Sequence, residues 1–117
     1  DPENAGNYKP EALYIPYFYR ARLWITNPAA PEELPREYYT KAFELIGDNL
    51  DLKNQKIQCA QYLMLYHLKY CQFKEGDGMT FTDEERKAHD EECKKYCEEI
   101  LMLNPEHKTA LQVIELL

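Results

Sequence analysis

Apolar residues recur at helical spacing along almost the whole chain, and this periodicity limits what 117 residues can become more than any other feature does. Glycine appears only four times and β-branched residues are sparse. A sheet domain needs frequent tight turns and strands rich in branched side chains. The fold class expected is therefore all-α. Prolines at 28, 31, 35 and 105, Gly47 and the connection Lys74 to Phe81 cut the pattern into five helices.

Residues 1–9 are turn formers and read as a loosely held entry. The first helix is expected from Pro10 to Thr26, with Tyr14, Phe18, Ala21 and Ile25 on one face. Pro16 removes a backbone donor inside that span, so the helix either starts near it or kinks there. Asn27 and Pro28 end it. The second runs from Pro35 to Ile46 and stops at Gly47, which suits a left-handed residue. The third opens after Asp51 and extends to Phe73. It carries Ile57, Ala60, Met64, Leu68 and Cys71 on one stripe and Cys59, Tyr62, Tyr66 and Tyr70 on the next. A helix apolar over so much of its circumference sits between neighbours. Lys74 to Phe81 reads as the most flexible connection, after which Thr82 and Glu85 spell a capping box that starts the fourth helix. That helix continues through Cys93, Cys97, Ile100 and Leu101 to the stop at Asn104-Pro105. The fifth starts near Glu106.

Charge excludes whole classes of partner. The chain has 21 acidic and 14 basic residues, a net charge of −7, and the deficit is shared by both halves. Nucleic acid and anionic membranes are bound through clustered Lys and Arg, so neither is expected. No apolar run is long enough to span a bilayer. The opening Asp1-Pro2 carries no methionine and reads as a processed form or an excised fragment, which leaves the compartment unread. A domain of this size buries about two thirds of its unfolded surface and needs neither metal nor disulfide to fold.

The stretch Cys93-x3-Cys97-x2-Ile100-Leu101-x3-Pro105-x4-Ala110 resembles the second half of a tetratricopeptide (TPR) repeat, in which small and aromatic residues and a closing proline hold these spacings. Cys97 and Ile100 depart from the aromatic and alanine of that pattern. Ala60-x-Tyr62-Leu63-x2-Tyr66-x3-Tyr70 looks like the first half, and the gap from Tyr70 to Cys93 is longer than the repeat allows. Tyr17-Phe18-Tyr19-Arg20-Ala21-Arg22, Asn27-Pro28 and Tyr38-Tyr39-x2-Ala42-Phe43 look like a degenerate earlier repeat. Together these resemble C-terminal tetratricopeptide-like segments of proteins from gut Bacteroidetes. The resemblance implies a single TPR-like domain over 1–117: a degenerate first hairpin at 10–47, a longer hairpin at 52–105 and a capping helix at 106–117, stacked as antiparallel hairpins in a right-handed superhelix. It also implies a scaffold that presents a groove to a protein or peptide, and it is compatible with a cell-envelope location.

Chemistry is thin by comparison. The chain contains no serine, no Gly-rich phosphate loop and no His-Glu-x-x-His pair. His89, Cys93 and Cys97 share a helix face, and an antiparallel hairpin centred near residue 78 brings Cys59 level with Cys97. A Cys3His zinc site or a Cys59 to Cys97 disulfide is conceivable on that register. Packed free thiols are the favoured reading, because unpaired cysteine is among the most buried residue types. The acids from Asp77 to Glu85 do not match the twelve-residue calcium loop. His67, His89 and His107 read as ordinary surface or core-edge residues. No catalytic, cofactor or metal site is expected.

Ten tyrosines stand above this background. Tyr62, Tyr66 and Tyr70 lie at i, i+4 and i+8, and the first helix contributes Tyr17 with Arg20. A tyrosine joins an apolar ring to a polar tip and suits both packing and exposed binding surface. Tyr17, Arg20, Tyr62, Tyr66 and Tyr70 are the candidate partner-binding residues of a non-catalytic module. The alternative is a structural end-cap, or self-association through the C-terminal helix around Val113, Ile114 and Leu117.

Overall fold

The computed structural model describes residues 12–27, 29, 33–71 and 82–117, and among them it contains five α-helices and no strand. The expected entry at 1–9, a helix start at Pro10, the linker prolines 28 and 31, a helix end at Phe73 and the connection 74–81 lie outside the described residues. Two compact units divide the chain between Cys59 and Ala60.

In the N-terminal unit, α1 spans Ile15–Ile25. Pro16 stands in its first turn, where a missing N–H costs nothing, so the helix begins at the proline and does not kink there. Thr26 Oγ1 donates to the Leu23 carbonyl at 2.8 Å, and Asn27 Oδ1 accepts from Ala29 N at 3.0 Å, which turns the chain out of the helix. Helix α2, Glu33–Ile46, packs on α1 and buries Pro35, Tyr39, Ala42 and Ile46. Their spacing of three to four draws one stripe. Phe18 meets Tyr39 edge to face, with ring centroids 6.1 Å apart. Gly47 takes φ 55° and donates to the Phe43 carbonyl, the left-handed stop expected from its sequence position. A 3-10 turn at Leu50–Leu52, capped by Asn49, leads into α3, Lys53–Cys71.

The buried stripe of α3 differs from expectation. Cys59, Ala60, Leu63 and Met64 are fully buried, whereas Ile57, Leu68 and Cys71 are half-buried. The i, i+1, i+4, i+5 pattern of a deeply set helix decides this, and two equally apolar stripes had left it open.

In the C-terminal unit, α4 spans Asp83–Leu103 and starts with the full capping box. Glu85 N donates to Thr82 Oγ1 at 3.1 Å, and Thr82 N donates to Glu85 Oε1 at 3.2 Å. Cys93, Tyr96, Cys97 and Ile100 form its buried stripe. Helix α5 spans Lys108–Leu116 and packs on α4. His107 caps it: Ala110 N donates to His107 Nδ1 at 3.1 Å, which leaves the ring proton on Nε2 to be donated to Gln61 Oε1 at 3.2 Å. Val113 is only 4 % exposed. The α5 face expected to serve self-association therefore spends its central residue inside the unit.

Candidate functional site

The N-terminal unit holds an open cleft of about 260 Å³ between α1 and the first turns of α3. Tyr14 and Phe18 form its floor, with centroids 5.8 Å apart in an edge-to-face pair. Tyr19 and Arg22 stand on the α1 side, and Asn54, Gln55 and Gln58 line the α3 side. The Arg22 guanidinium lies 5.9 Å from both the Phe18 and the Tyr19 ring centroids. Rings hold it by their negative faces and fix its direction. Tyr19 is 60 % exposed and Leu23, one turn on, is 67 % exposed. Below the cleft, burial pushes the Tyr39 phenol up, while a hydrogen bond from Gln58 and the Arg22 charge pull the other way.

Tyr17 and Arg20 belong to the same helix and are half-buried. Arg20 reaches over the Tyr38 ring of α2 at 6.0 Å. At 100° per residue, Tyr17 and Arg20 flank the buried stripe on one side, and Tyr19, Arg22 and Leu23 lie on the other. The sequence reading chose the first pair and passed over the second. Both fit the helical period, and only burial tells them apart.

The other three candidates lie on α3 in the C-terminal unit. Tyr66 and Tyr70 are brought together, with centroids 4.8 Å apart, and Tyr62 is half-buried one turn earlier. Tyr70 is only 8 % exposed and stacks on His89 of α4 at 5.1 Å. His67 stacks on Tyr96 at 6.0 Å, with planes 11° apart. His67 Nδ1 and His89 Nδ1 face each other at 2.9 Å. A bond of that length requires one ring to donate its Nδ1–H and the other to accept at an unprotonated Nδ1. The pair locks α3 to α4, and neither this role nor the buried Tyr96 was anticipated. The signal was present, since His67 and His89 each lie eleven residues from the expected hairpin centre.

All four cysteines are free thiols, and Cys59, Cys93 and Cys97 are buried. Burial pushes Cys59 up to about 12. Burial raises Cys93, and nearby Cys97 and Cys71 add to it. Burial also raises Cys97, against a hydrogen bond with Cys93, and raises Cys71, with Asp90 adding. Thiols held protonated in this way are poor nucleophiles and poor ligands near neutrality. Among the described residues no three His, Cys, Asp or Glu side chains converge to hold a metal ion, so the Cys3His set is not assembled there. No helix among them is long and apolar enough to cross a membrane.

No protein-family model, curated protein or solved structure matches this chain.

Proposed function

We propose that this chain is a non-catalytic interaction module, a scaffold of TPR-like helical hairpins that holds a protein or peptide segment. The observation that carries this reading is the α1/α3 cleft, where exposed aromatic surface, a guanidinium and three carboxamides meet. Its volume falls just below the roughly 300–1,000 Å³ of pockets that engulf a small molecule, and suits one or two anchoring side chains of a longer ligand. Carboxamides both donate and accept, as a peptide backbone requires. The pairing of α1 with α2 and of α4 with α5, the latter across Asn104-Pro105, supports the hairpin reading.

Selection of a random displayed-peptide library on the folded chain tests the proposal. Enriched peptides should bind with micromolar Kd, and Tyr19→Ala and Arg22→Ala, both in the cleft lining, should each weaken them while helicity by circular dichroism stays unchanged. A folded chain that enriches no binder overturns the proposal.

A second reading, an end-cap of a longer stack or a self-associating domain, draws on Met102, 78 % exposed at the end of α4, and on Leu111 and Leu116, exposed on α5. Sedimentation at micromolar concentration checks the self-associating form, which a strict monomer would eliminate.

A further inference from the structure

The 21 acidic residues of this chain are unevenly placed: none falls between Ala12 and Pro31, and none between Leu52 and Lys74. Those two stretches contain α1 and α3, the helices that wall the N-terminal cleft. Arg22 of the first and the exposed Lys53 of the second belong to this unit, whereas Arg20 lies on the other flank of α1 over Tyr38 and Lys56 is buried against Phe43. Among the described residues, the charge lining the cleft itself is Arg22 alone. In a protein of net charge −7, the described lining of this cleft thus holds one cation and no carboxylate. Beside it the Tyr19 ring and Leu23 are left to solvent.

Resting on the interaction-module reading, we propose that the α1/α3 cleft docks an acidic amphipathic peptide segment. Apolar side chains of that segment cover Tyr19 and Leu23, and its internal carboxylates face Arg22 and Lys53. Burial of exposed aromatic and leucine surface supplies the affinity. The charges supply selection, since an acidic segment is repelled by a protein of net charge −7 and meets no carboxylate among the described residues that line the cleft. The rim of carboxamides lets the peptide backbone keep its hydrogen bonds as it leaves water. Arg22 is already aligned by two rings and loses little freedom on pairing, which favours arginine over lysine as the recognising charge.

The probe is a short acetylated and amidated peptide with glutamates on both sides of a Leu-Leu pair, compared with its Gln and Lys counterparts by fluorescence anisotropy. The blocked ends remove any contribution from a terminal carboxylate. The Glu peptide should bind about tenfold tighter than the Gln peptide, and the difference should shrink as salt is raised. An exposed ion pair is worth at most about 1 kcal/mol, so Arg22→Gln should weaken the Glu peptide about three- to fivefold, and Lys53→Gln somewhat less. Arg22→Glu should shift preference toward the Lys peptide, a gain that misfolding cannot mimic. Equal binding of the Glu and Gln peptides, or an order unmoved by Arg22→Glu, overturns the acidic preference while leaving a binding module in place. Absence of binding by all three overturns the proposal, and the library selection then decides the broader reading separately.

Discussion

Beside α1 the ring of Tyr19 stands in solvent next to Arg22, whereas in the C-terminal unit the rings of Tyr70 and Tyr96 are stacked on histidines between α3 and α4. The two units draw on the same residue type at similar helical spacing and put it to different use. In the C-terminal unit a polar partner lies at each ring, so the aromatic surface closes on itself through the His67–His89 bond. In the N-terminal unit the partner of the outer ring is an arginine, which prefers to stay wet and keeps the surface open. A tyrosine stripe is thus not in itself a binding surface; what stands next to each ring decides.

This contrast is open to attack at several points, and the largest effect is expected in the core. Ile100→Ala empties a fully buried site in the C-terminal unit and should cost about 2–5 kcal/mol. If the units are separate cooperative blocks, hydrogen exchange will show lost protection in α4 and α5 with α1 and α2 unaffected. Equal loss throughout would mean that the whole chain unfolds as one.

Alkali offers the next largest lever. Unfolded thiols ionise near pH 9, while in the native protein burial holds Cys59 protonated to about 12 and raises the other three. Above pH 9 the unfolded state therefore carries fewer protons than the native one. Stability, complete below pH 9, should fall as pH rises by up to about 1.4 kcal/mol per unit for each buried thiol. Three of the four cysteines lie in the C-terminal unit, so its denaturation midpoint should drop more steeply, and Cys93→Ala should flatten the slope. A pH-independent midpoint between 9 and 11 would contradict this.

The smallest effects compare two helix ends. Gly47→Ala, at the end of α2, forces a side chain into φ 55° and should cost about 1–2 kcal/mol from the backbone alone, because the added Cβ would meet only the Glu44 carbonyl at an ordinary 3.8 Å. Thr82→Ala removes the cap of α4 and should cost about 1 kcal/mol, confined to exchange in its first turn.

Local chemistry was legible in the sequence, and packing was not. The Thr82 capping box and the stop at Gly47 depend on neighbours in the chain and were readable from it, and Pro16 narrowed the first helix to a start or a kink at that point. Which stripe of α3 is buried depends on what lies on either side of it, and Leu63 was assigned to neither stripe for that reason. His107 as the cap of α5 was hidden because His is an uncommon choice there, and its second bond, to Gln61, spans forty-six residues. The cleft brings residues 14–22 together with 54–58, which no local pattern encodes, although the absence of acids from both segments was visible from the start.

The pairing of α1 with α2 and of α4 with α5 also bears on the speed of folding. In each of these two pairs a helix docks on its immediate successor, so the pair forms by closing a short loop and commits little chain entropy before contacts repay it. Topologies dominated by such near-neighbour contacts fold in about microseconds to milliseconds. Helix α3 is divided between the two units at Cys59 and Ala60, so neither helix pair completes it.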